Sequence, residues 1–322
     1  MEPMSIREIE KAVRGVWWNP REGAEDVSSV TTDSRNVPAG SLFIPIVGEK
    51  FDGHRFIGAA LDQGAAGVLC AKLPEDLRPD KFYIKVADTR LALKDLARHY
   101  REKFTIPVVQ ITGSVGKTTT KDMIAAVLAQ KYRVLKTAEN FNNDIGTPLT
   151  LLGLDHTHEA AVIETGMNHF GEIRYLGEMV QPDIAVISNI GDAHIEFLGS
   201  REGILKAKAE ILENLRPGGT VILNGDDALL NTLTPPFETL RCGQGENCAY
   251  RVGEIADHGV DGITCCLTTP QGEYRLTIPA PGEHMVYSAS MAAAIGEKLG
   301  LTAAEIARGV ACYTPTGSRM RV

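Results

Sequence analysis

An α/β fold is predicted for this 322-residue chain: a small N-terminal α/β domain, then a doubly wound, mostly parallel sheet domain. Three observations predict it. From Pro107 onward, short apolar runs alternate with segments at helix spacing, and strands spaced by helices imply a parallel sheet. The first of those runs ends at a glycine turn that opens straight into a helical pattern. The residues before about 104 form a separate set of shorter elements, and the length suits about two domains.

In chain order, IREIEKAV (6–13) reads as a short helix and Gly15–Trp18 as a strand. Thr31–Arg35 and a turn lead to the apolar run Leu42–Val47 and the polar loop Gly48–His54. Phe56–Leu61 is expected to be helical, Ala65–Ala71 a strand, and Leu91–Tyr100 a helix running into a linker near Phe104–Thr105. Beyond the linker, strands are expected at Val108–Thr112, Ala160–Glu164, Ile184–Ser188 and Thr220–Asn224, with helices at 117–131, 171–178, 201–215 and 284–299. From 236 to 280 the pattern becomes short strands with turns, an antiparallel insertion or edge. The expected domains are 1–104, 105–318, and a remnant of linker at 319–322.

Composition excludes several classes. Apolar residues are 43% and charged residues 23%, ordinary for a soluble globular chain. A net charge of −8 argues against non-specific binding to nucleic acid or anionic membrane. No apolar run approaches the roughly 18–20 residues of a membrane span, and the charged N-terminus has no signal-peptide core. The six cysteines lack metal-ligand spacing and read as reduced cytoplasmic thiols.

The strand–glycine–helix passage is Val108-Val-Gln-Ile-Thr-Gly-Ser-Val-Gly-Lys-Thr-Thr-Thr120. Backbone N–H groups at a helix start face a polyphosphate, Lys117 can reach its outer oxygens, and the Thr118 hydroxyl can hold Mg²⁺. The second domain is therefore expected to be of the P-loop ATPase type, with ATP as the nucleotide. The strict pattern has four residues between its glycines, whereas Gly113 and Gly116 enclose two. A solvated lysine after a plain glycine turn is the bland alternative.

In an open parallel sheet, ligands bind beyond the carboxyl ends of the strands. Two further ends carry suitable groups: Glu164, and the run Ser188-Asn-Ile-Gly-Asp-Ala-His194. A carboxylate beside polyphosphate is a natural Mg²⁺ ligand, although Glu164 could equally be a capping or ion-paired residue and His194 a structural histidine. Lys208 stands three or four residues from Ile204, Leu205, Ile211 and Leu212, in the middle of an apolar stripe. Lys206 lies four residues from Glu202 and Glu210, on the solvated face. A lysine turned inward has its pKa lowered, and a neutral amine can take up CO₂ as a carbamate. The alternative is a snorkelling lysine that only covers apolar surface.

These residues resemble the ATP-dependent Mur ligases of bacterial cell-wall synthesis. The loop Gly113-Ser-Val-Gly-Lys-Thr-Thr119 is similar to that family's shortened P-loop, which answers the spacing objection. Within the family, three stretches resemble the branch that joins D-Ala-D-Ala to UDP-N-acetylmuramoyl-tripeptide. They are Glu139–Thr150, Glu164–Ile173, and Ser188–Glu196 together with Lys206–Ile211. Thr32–Arg35 and Gly48–His54 resemble the family's UDP-sugar-binding domain, so the likeness covers nearly the whole chain.

The resemblance implies a fold, an activity and a set of roles. Residues 1–104 would bind the UDP-sugar substrate and 105–318 would bind ATP. Gly113, Ser114, Val115, Gly116, Lys117, Thr118 and Thr119 would hold the phosphates, with Arg319 reaching the γ-phosphate. Thr118 would hold one Mg²⁺ with the phosphates, and Glu164 and His194 would hold a second, with a carbamylated Lys208 near it. Asn142 and Asn143 would contact the UDP-muramoyl peptide, Asn168 would line the central site, and Ser34, Arg35 and His54 would meet the uridine end. The reaction would be amide ligation through an acyl phosphate, in the bacterial cytoplasm, by a monomer. Two departures stand out. Ser288 replaces an asparagine usual at the adenine-contacting helix start, and the chain ends at Val322, where the family continues into a third domain that would bring the dipeptide. A short chain of this kind is expected to bind but not to ligate. A MurE-like or other ligase of the superfamily, or a non-ligating nucleotide- or UDP-sugar-binding module, are the competing readings.

Overall fold

The computed structural model describes residues 1–18, 26–48 and 51–314. It divides into two compact units. One is Met1–Thr105 with Asp144–His156, and the other is Ile106–Asn143 with Thr157–Val322. Arg319 and residues 319–322, expected to start a linker, lie outside the described residues.

The first unit is a five-stranded sheet with helices. Its elements are α1 (Ile6–Ala12), β1 (Val16–Trp18), β2 (Val30–Thr31), β3 (Leu42–Phe43), α2 (Ile57–Asp62), β4 (Gly67–Cys70), β5 (Phe82–Lys85) and α3 (Thr89–Arg101). The sheet order is β1-β5-β4-β3-β2, with β1 antiparallel to β5 and the other pairs parallel. The Asp88 carboxylate accepts from the amides of Arg90 and Leu91 and caps α3, which buries Leu93, Leu96, Ala97 and Tyr100. Such a cap satisfies amides that would otherwise be unpaired. In the apolar run 42–47 the strand itself is Leu42–Phe43, because Pro45 has no N–H to extend the ladder, and Val47 then makes an isolated bridge to Asp52.

Residues Asp144–His156 group with this unit, whereas the sequence reading placed them in the second domain. The Tyr100 hydroxyl donates to Leu154 O at 2.5 Å, and the Arg90 guanidinium pairs with Asp144. Neither long-range contact has a local sequence signature.

The second unit carries a nine-stranded sheet. In order come β6 (Val108–Thr112), α4 (Lys117–Leu128), β7 (Val134–Lys136), α5 (Gly146–Leu151, in the first unit), β8 (Ala160–Glu164), α6 (Glu172–Val180) and β9 (Ile184–Ile187). They are followed by α7 (Ile195–Leu198), α8 (Arg201–Ala209), β10 (Thr220–Asn224), β11 (Glu238–Gly243), β12 (Tyr250–Asp257), β13 (Ile263–Thr269), β14 (Gly272–Ile278), α9 (Met285–Lys298) and α10 (Ala303–Ala311). The strand order is β14-β13-β12-β11-β10-β9-β6-β8-β7. From β7 to β12 all neighbours are parallel, and only β12-β13-β14 is antiparallel. The segment 236–280 is thus an edge of the main sheet, and its first strand, β11, is parallel to β10.

Apolar strand residues alternate between two cores. Val186 and Ile222 pack in one with Ile124 of α4 and Ala292 of α9, while Ile187 and Leu223 pack in the other with Ile173 of α6 and Ile204 of α8. Both faces are covered, so the parallel strands read as continuous apolar runs. The chain leaves β6 toward β7 and leaves β9 toward β10, on opposite sides. That reversal opens a crevice at the carboxyl ends of these neighbours. One wall is α9, whose Glu297 carboxylate accepts from the hydroxyls of Thr269 at 2.8 Å, Tyr250 at 2.9 Å and Tyr274 at 3.2 Å. Among the described residues no helix is long and apolar enough to cross a membrane.

Candidate active site

The glycine loop fills the crevice between β6 and β9. Its two glycines answer different constraints. A Cβ on Gly113 would lie 1.9 Å from Ser188 Oγ, so only glycine passes this close to β9. Gly116 has φ +76° as the residue that starts α4, and a side chain would meet nothing there. At Gly116 backbone shape, and not space, sets the requirement.

Asn189 latches the loop. Its Oδ1 accepts from Val115 N at 3.0 Å and its Nδ2 donates to Val115 O at 2.8 Å, while Ser114 N donates to Asn189 O at 3.1 Å. The Ser188 hydroxyl adds a bond to Val115 O at 3.1 Å. The Lys117 ammonium donates to Gly113 O at 2.8 Å. The first amides of α4 face a cavity of about 780 Å³ lined by Ser114 to Thr120, Glu164 and Asn142, with His284, Tyr287 and Ser288 from the start of α9. Exposed helix-start amides with a lysine beside them favour an anion.

Glu164 ends β8 against this cavity and is 1% exposed. Its Oε1 accepts from Asn142 Nδ2 at 2.8 Å, whereas its buried Oε2 has no hydrogen-bond partner. An unpartnered buried carboxylate oxygen fits a cation position. Asn142 thus lines the cavity while donating to Glu164, and Asn143 and Asn168 are exposed.

Lys208 is buried and Lys206 is exposed, as the two helix faces require. Burial, with the Lys117 charge second, lowers the Lys208 pKa to about 7. His194 starts α7 in the left-handed region at φ +67°. Its pKa is lowered by burial first and then by the charges of Lys208 and Lys117, so these three groups share one electrostatic neighbourhood. Among the described residues, no cluster of three or more His, Cys, Asp or Glu could hold a metal unaided. Glu164 and His194 are thus not gathered into a protein-only cage. A Mg²⁺ site commonly draws its remaining ligands from water and phosphate.

Glu210 differs from its expected place beside Lys206. It is buried, accepts from Gly171 N at 2.7 Å and from Arg174 N at 3.3 Å, and so caps α6. The expected helix 201–215 accordingly ends as α8 at Ala209 and tightens into a 3₁₀ turn over Glu210–Asn214. Ser288 Oγ lies 2.9 Å from Thr120 Oγ1, which ties the start of α9 to α4 inside the cavity wall. In the first unit, Arg35 is exposed and paired with Asp33, and Ser34 O accepts from Gln63 Nε2. His54 Nε2 accepts from Ala71 N at 2.9 Å while Nδ1 lies 2.6 Å from Asp52 Oδ1, so both ring nitrogens are engaged within the chain.

Sequence reasoning passed over Lys121, Asp122 and the latching role of Asn189. The first two are 1% and 3% exposed within the glycine-loop helix. Their signal was available: Lys121 follows Lys117 by one turn and shares the inward face with Ile124 and Leu128.

Comparison with known proteins gives consistent results. Residues 111–296 match the Mur ligase middle domain and residues 26–101 the Mur ligase family catalytic domain. The UDP-N-acetylmuramoyl-tripeptide–D-alanyl-D-alanine ligase of Bacillus subtilis is 39% identical over 99% of this chain and 69% of its own length. The crystal structure of MurF from Acinetobacter baumannii superposes with a TM-score of 0.93 at 33% identity, over 100% of this chain and 70% of that one. MurF from Thermotoga maritima, in complex with ADP, gives 0.78 at 28% identity, over 87% of this chain and 65% of that one. The chain spans 62–69% of the length of the first four curated relatives it matches. With the glycine loop, Glu164 and Lys208 placed as described, and with likeness running from one end of the chain to the other, this protein belongs to the Mur ligase family, in its MurF branch.

Proposed function

We propose that the protein acts as an ATP-dependent ligase that adds D-Ala-D-Ala to UDP-N-acetylmuramoyl-tripeptide in the bacterial cytoplasm. The observation that carries this reading is the glycine loop opening on a cavity that Glu164 also lines, with one carboxylate oxygen of Glu164 left without a hydrogen-bond partner. The matches to MurF sequences and structures supply the substrate class.

In this reading the amides of Gly113–Thr119 and the Lys117 ammonium hold the phosphates, and Lys117 leaves Gly113 O to do so. The carboxylate of the tripeptide attacks the γ-phosphorus in line. An oxygen–phosphorus bond forms, the bond to the β-phosphate oxygen breaks, and ADP leaves. The dipeptide amine then attacks the acyl carbonyl, phosphate departs, and the amine loses its proton. Positioning and charge neutralisation carry most of the catalysis. Mg²⁺, when bound, neutralises charge on the transferring group. Thr118 would hold one ion with the phosphates, and Glu164 and His194 a second with Lys208 beside it as its carbamate; Arg319 would reach the γ-phosphate. Residues 1–104 would take the UDP-sugar through Ser34 and Arg35, with His54 shaping the loop, while Asn142 and Asn143 meet the peptide and Asn168 lines the central site.

The test is formation of ADP and of UDP-N-acetylmuramoyl-pentapeptide from ATP, the tripeptide and D-Ala-D-Ala. It is run on the chain itself and on the chain extended to its relatives' length. Product that requires both substrates and Lys117 supports the reading. Nucleotide binding without product in either form would leave a binding module instead.

A further inference from the structure

The glycine-loop helix carries a second lysine, one turn after the first, that no step above uses. Lys121 is 1% exposed. Its ammonium donates to Thr137 O at 2.8 Å and stands 3.5 Å from Asp122 Oδ1 and 4.0 Å from Glu164 Oε2. Asp122 has its own exposed partner, Lys136, at 2.7 Å.

Three contacts then fix Glu164. Its amide donates to Thr137 Oγ1 at 2.9 Å, and its Oε1 accepts from Asn142. Its Oε2 faces Lys121 beyond hydrogen-bond range. Thr137 is held at both ends, its carbonyl by Lys121 and its hydroxyl by the Glu164 amide. A cation at 4.0 Å pulls on a carboxylate oxygen without occupying its lone pairs, because hydrogen bonds need about 2.7–3.2 Å. The oxygen is thereby oriented while its lone pairs stay free of a hydrogen bond.

We propose that Lys121 is a positioning residue: it orients the carboxylate of Glu164, a residue that lines the nucleotide cavity, and so couples the divalent cation to the helix that binds the phosphates. This rests on the ligase reading, in which Glu164 meets Mg²⁺ beside the nucleotide. The alternative role is purely structural, with Lys121 needed only as the donor to Thr137 O.

The experiment measures ADP affinity in EDTA and in Mg²⁺ by calorimetry, with thermal melting as the folding control. Wild type should bind Mg²⁺·ADP more tightly than ADP, and Glu164→Gln should lose that gain. If wild type shows no gain, the underlying reading fails and not only this inference. Lys121→Gln keeps a donor for Thr137 O but removes the charge, and Lys121→Met removes both. Both should bind ADP in EDTA within about twofold of wild type while losing most of the Mg²⁺-dependent gain, about tenfold. In the Glu164→Gln background, Lys121→Gln should add nothing. A folded Lys121→Gln with the full Mg²⁺ gain overturns the proposal. So does a loss that adds to that of Glu164→Gln, or an equal loss in EDTA and in Mg²⁺. Should Lys121→Met not fold, Lys121→Gln and the double variant decide.

Discussion

Replacing Gly113 by alanine tests how closely the glycine loop is fitted to β9. The new methyl would sit 1.9 Å from Ser188 Oγ and 3.2 Å from Ser188 Cβ. Ser188 is 5% exposed, so its side chain has little room to turn away. Turning it would break the hydroxyl's bond to Val115 O. Overpacking costs about 1–3 kcal/mol and the lost hydrogen bond about 1 kcal/mol, so we expect a total of about 2–4 kcal/mol. For a unit of roughly 200 residues this is a melting-point fall of about 4–16 °C. Nucleotide affinity should fall as well, since Val115 leads into the phosphate-facing amides. Ser188→Gly removes both contacting atoms, so the Gly113→Ala/Ser188→Gly pair should be more stable than the two single effects sum to, by about 1–2 kcal/mol. Denaturation of the four proteins, with ADP titration of each, gives the cycle. A Gly113→Ala protein that melts within a degree of wild type would refute the steric argument. So would a pair whose effects simply add.

Lys117→Ala should abolish phosphate-dependent nucleotide binding and leave the melting point nearly unchanged; equal ADP affinity in the two proteins would sink the P-loop assignment. For Lys208, whose ordinary pKa of 10.5 is lowered to about 7 in the fold, the unfolded chain binds the extra proton between those values. Wild-type stability should therefore rise with pH across that window, gaining about 2 kcal/mol from pH 7 to 9 relative to Lys208→Met; a pH-independent difference would contradict the burial argument. His194 has a folded pKa below its ordinary 6.5, so the unfolded chain takes up its proton first on acidification. Stability should fall as pH drops from 6.5 toward the lower folded value, and His194→Gln should flatten that slope in denaturant melts. Thr302→Ala removes the hydroxyl that accepts from Glu305 N in the capping box of α10 and should cost about 1 kcal/mol, measured by the same melts.

Elements whose signal is local were legible in the sequence. The strands Val108–Thr112, Ala160–Glu164 and Thr220–Asn224 have the expected bounds, since buried parallel strands are apolar on both faces. The opposite placement of Lys206 and Lys208 followed from helix period alone. Short strands such as Val30–Thr31, Phe82–Lys85 and Val134–Lys136 were missed, because two to four residues carry no usable period. Glu210 was misplaced for another reason: an (i, i+4) pair on a helix diagram is local, whereas the amides it caps on α6 are about 40 residues away in sequence. The latch by Asn189 and the Lys121–Glu164 approach are long-range as well, and appear only once β6, β8 and β9 lie side by side.

The buried carboxylate at the far end of α9 has a consequence for motion. Glu297 gathers hydroxyls from β12, β13 and β14, while the first turns of the same helix form the cavity wall through Tyr287 and Ser288. Peeling α9 away would strand a buried carboxylate and break into the largest core of the unit, so its amides should open only with the unit as a whole. In native-state hydrogen exchange, α9 should be among the slowest regions with or without nucleotide. The added protection that a bound nucleotide brings should fall on residues 113–119 and 137–143. The wall is already set when the ligand arrives, and the loops facing it do the adapting.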